Sequence, residues 1–332
     1  MTPSIKDVAA AAGVSIGTVS NVLNHPERVK PPTVKKVQSA ISALGFVRND
    51  AARQLRAGAS NTIALAVLEA SNPFFAEMAR GVENVAAERG YSVIVGNIGS
   101  SMSREGDYLD LFEQQRVKGV LISPHGNVEE RLEALRGMGI PSVLVDRISA
   151  GQKFSSVSVD DVAGGKIAVQ HLLDVGREKI GFVGGSLSVP QVRDRLAGAE
   201  QAVAQSSRAS LEVFETDHTT VLEGRRIGKI ISGFPAKKRP HALFAANDLV
   251  ALGLLQAITS SSTLRVPGDI SIIGYDDIDF SSSAIVPLTS IRQPSYLLGQ
   301  TALEILLEEA IDPRIKPRQV VFQPELVRRD ST

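Results

Sequence analysis

With 332 residues the chain is too long for one ordinary domain and suits two or three, and the absence of cysteine excludes a disulfide framework and a thiolate metal site. The 36 basic and 36 acidic side chains balance to no net charge, and 43% hydrophobic residues supply an ordinary globular core. The balance hides an asymmetry. Residues 1–60 hold eight basic side chains (Lys6, Arg28, Lys30, Lys35, Lys36, Arg48, Arg53, Arg56) against three acids (Asp7, Glu27, Asp50), a net +5, and the rest of the chain carries −5. A basic head on an acidic body points to an anionic partner for the head alone. The N-terminal stretch has no apolar signal segment, and the run 63–68 is strand-length, far short of a membrane span. A cytoplasmic location without membrane association is expected, in keeping with the missing cysteines.

The head reads as short helices. Ser4 caps a helix over 5–12, with Asp7 at its positive end and Gly13 at its stop. Ser15 caps a second over 16–24, and Val8, Val19, Val22 and Leu23 fall where the two can share a core. Pro31 and Pro32 break the chain, a third helix follows over 34–44, and Gly45 closes it. A further short helical segment lies at 50–57, between Asn49 and Gly58.

After residue 60 strand-like apolar runs alternate with helical stretches. Strands are expected at 62–68, 91–96, 119–123, 142–146, 179–184, 241–246 and 270–274, and helices at 73–89, 103–115, 128–136, 162–175, 192–205 and 248–260. This βαβ rhythm predicts an α/β architecture with parallel sheets covered by helices, in two lobes.

The turn 12–15 between the first two helices makes a helix-turn-helix candidate, its second helix entering a major groove N-terminus first. Ile16, Gly17 and Asn21 share one exposed face. Asparagine can pair with adenine, isoleucine can touch a thymine methyl, and Ser15, Thr18 and Ser20 can meet phosphates. Periodicity alone allows an ordinary amphipathic hairpin equally well.

In open α/β sheets ligands sit beyond the carboxyl ends of strands. Candidates there are Asp146-Arg147 after SVLV, Asn247 after LFAA, Asp276 after IIGY, the helix opening Asn72-Pro73-Phe74-Phe75, Arg195 near another helix start, and Gln293 beside Pro294. Carboxylates, amides and guanidinium groups with flat phenyl faces suit a polar ring compound such as a sugar, although each aspartate can equally serve as a cap or turn residue.

No enzyme is expected. Residues 224–229 read GRRIGK, with the wrong spacing for a phosphate loop and Ile230 where Ser or Thr is needed. The stretch 184–188 lacks the second glycine of a nucleophile elbow. His25, His125, His171, His218 and His241 are scattered, and 276–279 lacks the glycine and distal glutamate of a calcium loop, so neither metal nor cofactor is expected.

The stretch SIKDVAAAAGVSIGTVSNVLNHPERV closely resembles the head of the lactose-repressor (LacI/GalR) family, and LGFVRNDAARQLRAG resembles its hinge. SNPFFAE, AANDLVALG, VPGDISIIGYDD, PLTSIRQP and PELVRRDST resemble, in order, its effector domain, which is similar to ribose-type periplasmic sugar-binding proteins. The resemblance implies a three-helix DNA-binding head over 1–48, a hinge helix and linker over 49–60, and an effector-binding and dimerisation domain over 61–332. One lobe would comprise about 61–161 and 292–325, the other about 162–291. It implies a homodimer on a pseudo-palindromic operator, acting as a repressor released by a small monosaccharide, with D-ribose or a close pentose favoured. The sugar ligands map onto Asn72, Phe74, Phe75, Asp146, Arg147, Asn247, Asp276 and Gln293, with the arginine at Arg193 or, preferably, Arg195. One departure is Asn21, where many members carry arginine. The alternative is a sugar-binding protein of a transport system, which would need a signal peptide and no basic head.

In the hinge, Arg53 and Arg56 flank Leu55 and can hold minor-groove phosphates while the leucine wedges between base steps. So short a helix orders only against DNA and its dimer mate. Leu55→Ala should therefore weaken specific operator binding by a few kcal/mol and leave charge-driven non-specific binding unchanged. Anisotropy titrations at fixed salt check this, and an unchanged operator affinity refutes the wedge.

Overall fold

The computed structural model describes residues 3–46, 60–99, 101–261 and 263–332. The chain divides into two compact units between residues 59 and 60. The expected hinge segment 50–57, with Arg53, Leu55 and Arg56, lies outside the described residues.

The first unit contains helices α1 (Ile5–Ala12), α2 (Ile16–Asn24) and α3 (Pro31–Leu44). A capping box opens α1: Ser4 Oγ accepts from the Asp7 N–H and Asp7 Oδ2 accepts from the Ser4 N–H. Gly13 ends it in the left-handed region at φ 62°, and Ser15 Oγ caps α2 by accepting from the Thr18 N–H. Pro31 and Pro32 open α3 where a break had been expected, because the first turn of a helix needs no internal N–H donor. Val8, Val19, Val22 and Val37 form the core, with Leu23 partly buried against it.

The second unit is built on two six-stranded sheets. The first contains β1 (Thr62–Val67), β2 (Ser92–Asn97), β3 (Gly119–Ile122), β4 (Ser142–Val145), β5 (Ser155–Val159) and β11 (Gln319–Phe322), in the order β11-β5-β4-β3-β1-β2. The second contains β6 (Lys179–Gly184), β7 (Ser210–Glu215), β8 (Ala242–Ala245), β9 (Ser271–Asp276), β10 (Thr289–Arg292) and β12 (Glu325–Val327), in the order β12-β10-β9-β8-β6-β7. All pairings are parallel except β10 with β12. Helices α4 (Pro73–Glu88), α5 (Met102–Gln114), α6 (Glu129–Gly137) and α12 (Ser295–Ile311) cover the first sheet. Helices α7 (Asp161–Asp174), α8 (Pro190–Val203), α9 (Val221–Ser232) and α10 (Asp248–Ser261) cover the second, and the one-turn α11 (Asp279–Ser282) follows β9. The chain passes between the sheets three times: after β5, after β10 and after β11. The sequence rhythm does not reveal β5, β7, β10, β11, β12, α9 or α12.

Three helix pairs approach so closely that each partner needs a glycine. A Cβ on Gly81 of α4 would lie 2.1 Å from Tyr296 O, and one on Gly299 of α12 would lie 2.0 Å from Met78 O. Gly165 of α7 and Gly198 of α8 face Arg195 O and Val162 O in the same reciprocal way, both at 2.0 Å. Gly224 of α9 and Gly253 of α10 face Val250 O and Val221 O, both at 2.1 Å. Those contacts are with backbone, which cannot swing aside, so any side chain must push the helices apart. Gly253→Ala should lower stability by about 1–3 kcal/mol through overpacking, despite alanine's better helix propensity. Urea unfolding measures it, and an unchanged or raised midpoint would show that the pair can separate freely.

Candidate functional site

On α2, Ile16 is 45% exposed and Gly17 and Asn21 are exposed beside it, so the three share a solvent face. Ser15 is exposed, and its hydroxyl lies 2.9 Å from that of Thr18; Ser20 accepts from Asn24 Nδ2. The hydroxyls of Ser15, Thr18 and Ser20 thus stand on, or at the cap of, the same short helix as this exposed face.

The second unit holds a cleft of about 380 Å³ lined from both lobes by Asn72, Phe74, Phe75, Asp146, Arg195, Asn247 and Asp276. Strand ends and helix starts put them there. Asn72 caps α4, its Oδ1 accepting from the Phe74 N–H at 3.0 Å, and its Nδ2 is left to donate to Asp276 Oδ2 at 3.1 Å. Phe74 and Phe75 meet edge to face at 5.0 Å. Asn247 likewise caps the start of α10 through the Val250 N–H and donates to Thr219 O. Asp146 follows β4 at φ 57°, Asp276 ends β9 at φ 107°, and Asp277 follows it at φ 57°. Left-handed backbone at such residues costs of order 1–3 kcal/mol each and persists where surrounding contacts over-determine it.

Arg195 is the centre of charge. Its Nε donates to Asp161 Oδ1 at 2.8 Å, its Nη1 donates to Ala246 O and lies 3.9 Å from Asp276 Oδ1, and its guanidinium stacks 3.8 Å from the centroid of Tyr275. Burial opposes its charge, but Asp161, Tyr275, Asp276 and Asp146 outweigh burial and raise its pKa. Burial pushes the Asp276 carboxyl up to about 6 against Arg195, Asn72 and Gln293, which favour the charged form. Burial, joined by the Asp161 charge, holds Asp146 well above the ordinary carboxylate range. Three hydrogen bonds cross between the lobes here: Asn72 to Asp276, and Gln191 Nε2 both to Asp146 O at 2.5 Å and to Asp146 Oδ2 at 3.0 Å. Asp146 Oδ1, Gln191 Oε1 and His125 Nδ1 are buried without a hydrogen-bond partner among the described residues. Such atoms are costly unless a polar ligand meets them.

Two expected residues stand elsewhere. Arg147 is not among the residues lining the cleft, and its Nη1 donates to Gly126 O at 3.0 Å and Pro124 O at 3.3 Å, on either side of the cleft-lining His125. Gln293 stands behind Asp276 and donates to its Oδ1 at 2.8 Å. Sequence reasoning missed Gln191 and Asp161. Each opens a helix shortly after a strand or loop, the same signal that singled out Arg195. Among the described residues no group of three metal-ligating side chains occurs, and no helix is long and apolar enough to cross a membrane. GRRIGK lies inside α9.

Comparison with known proteins adds independent findings. Residues 4–49 match the family described as bacterial regulatory proteins, lacI family, and residues 169–332 match the periplasmic binding protein-like domain. The HTH-type transcriptional repressor PurR of Photobacterium profundum is 34% identical over 334 residues, covering 99% of this chain and 98% of that protein. The lac repressor dimer bound to operator and the anti-inducer ONPF superposes with a TM-score of 0.82 at 30% identity, over 100% of this chain and 99% of that one. A LacI family transcriptional regulator from Enterococcus faecium, solved with bound ribose, superposes at 0.74 and 28% identity over 82% of this chain and 98% of that one.

Asp248 lies behind the cleft and accepts from Ser281 Oγ and Ser290 Oγ, both at 2.6 Å, and from the Ile278 N–H at 2.9 Å. Burial and then the Asp276 charge push its carboxyl up to about 7, against these three donors. The folded chain thus binds this proton more tightly than the unfolded chain, whose carboxyl titrates near 3.8. The stabilising contribution is complete below the unfolded value and is lost as pH rises through the folded one. Asp248→Asn, which cannot ionise, should gain on the wild type by roughly 2–4 kcal/mol between about pH 4 and pH 8. Denaturant unfolding of both proteins across that range measures the gain; a pH-independent difference refutes it.

Proposed function

Because the chain belongs to the LacI family of bacterial regulatory proteins, DNA-binding transcriptional regulators that answer to small molecules, we propose that it is a repressor released from its operator by a small monosaccharide, D-ribose or a close pentose. The observation that carries this reading is the set of buried groups facing one another across the cleft. Asp146 Oδ1 and Gln191 Oε1 lack partners among the described residues, Asp276 and Arg195 line the cleft with them, and Phe74 and Phe75 form an apolar wall. Carboxylates accept from vicinal hydroxyls, the guanidinium donates back, and phenyl rings cover the C–H faces of a sugar ring. The cleft's volume falls in the ordinary range for small ligands. The neighbour with bound ribose is in keeping with a pentose.

In this reading Ile16, Gly17 and Asn21 read bases, Ser15, Thr18 and Ser20 meet phosphates, and Arg53, Leu55 and Arg56 engage the minor groove. Two such heads on a homodimer bind a pseudo-palindromic operator in the cytoplasm. Exposed apolar side chains on each lobe, Met102 and Val95 on one and Leu222, Phe280 and Ile285 on the other, support dimerisation. The basic head favours this reading over a sugar-binding protein of a transport system. Effector and operator act on each other only through the two conformations they prefer, so their effects are reciprocal.

Asp276→Ala should remove charge-assisted hydrogen bonds of about 1.5–3 kcal/mol each and abolish the sugar response while sparing operator binding. Calorimetry against pentoses, hexoses and nucleosides, followed by operator titration with and without the best ligand, checks both halves. The reading fails if no sugar binds at millimolar concentration, or if a tightly bound sugar leaves operator affinity untouched.

A further inference from the structure

Asp277, the residue after the cleft carboxylate, touches nothing in the cleft, and its side chain is only 4% exposed. Its Oδ2 accepts from Arg292 Nε at 2.7 Å, and its Oδ1 faces Arg329 Nη2 at 2.7 Å in an ion pair. Its N–H donates to Ser290 Oγ at 3.2 Å. The two arginines come from informative places. Arg292 is the last residue of β10, immediately before Gln293 and the second passage between lobes. Arg329 follows β12, the strand that receives the third passage, and is itself fixed by donating to Leu288 O and from its N–H to Thr289 Oγ1. The two strands pair with each other through Arg292 and Glu325.

Asp276 and Asp277 are consecutive non-glycine residues with left-handed φ values of 107° and 57°. Such a turn needs outside contacts to hold it. Those contacts fall on Asp277, whereas the cleft carboxylate at Asp276 is met by Asn72 from the other lobe and by Gln293 from the passage itself. We propose that Asp277 is a positioning residue that ties two of the three interlobe passages to the Asp276 carboxylate, so that lobe movement and effector capture change together. This rests on the reading that Asp276 holds the effector.

The first test needs no effector. In a ligand-free crystal structure of Asp277→Asn, the backbone at 276 should relax out of the left-handed region and its carboxyl should leave Asn72 and Gln293. A carboxyl that keeps both hydrogen bonds overturns the proposal. Arg329→Gln, compared in the same way, serves should Asp277→Asn not fold. The second test is D-ribose calorimetry on the full chain. Asp277→Asn and Arg329→Gln should lose about tenfold or more in affinity, the equivalent of one charge-assisted hydrogen bond. Arg329→Lys, which keeps the charge, should restore most of it. Equal ribose affinity in all variants also overturns the proposal. A wild-type chain that ignores D-ribose instead overturns the pentose reading and leaves the crystal structures to decide this one.

Discussion

Arg195 is buried among three aspartates, and the cleft is arranged so that this charge cluster can exist away from water. One guanidinium cannot balance Asp161, Asp276 and Asp146 together, and each desolvated carboxylate is costly unless hydrogen-bonded. The neighbouring groups meet that cost. Asn72 and Gln293 donate to Asp276, Gln191 donates to Asp146, and Tyr275 lends its ring face to the arginine. Because Asn72 and Gln191 reach from opposite lobes, the solution to the charge problem is also what joins the lobes at the cleft. Asp146 Oδ1 is still left without a donor among the described residues.

The frame behind the cluster is held by backbone contact rather than by side-chain size. The reciprocal glycines of α7 and α8 bring Gly165 against Arg195 O, so the closeness of two helices fixes where the arginine begins. Gly164 does the same for Tyr275, since a Cβ there would lie 2.1 Å from its hydroxyl oxygen. The arginine and the ring under it are therefore set by residues with no side chain at all. A packed interior that cannot yield locally transmits small displacements over long distances, which suits a protein whose two ends must communicate.

Much of this architecture was legible in the sequence, for identifiable reasons. Strands buried on both faces read as apolar runs, as in residues 62–67 and 142–145, and the caps Ser4, Ser15 and Asn72 mark their helices by residue type alone. The strand Ser155–Val159 escaped because its buried serines imitate a loop; Ser155 and Ser156 are satisfied by Glu309 and Gln319, more than a hundred residues away. The cleft residues at strand ends were visible because topology puts ligands there. Arg147, expected beside Asp146, instead donates to the carbonyls on either side of His125, a partnership that strand-end position does not specify. Gln191 shares its helix-opening position with Arg195, but its partnership becomes visible only when Asp146 arrives opposite it. The resemblance to a known family supplied the order of the motifs; the partnerships came from the coordinates.

The passages between the sheets also bear on how the chain is made. The core of the first lobe draws Leu298, Ala302, Leu303 and Leu306 from α12, and β11 completes its sheet at residues 319–322. Neither lobe can close its interior until nearly the whole chain has left the ribosome, because the second still awaits β12 and the contacts of Ser331 and Thr332. The head, with every core residue inside 3–46, can fold during synthesis. A nascent chain thus completes its helix-turn-helix unit well before it can form the cleft.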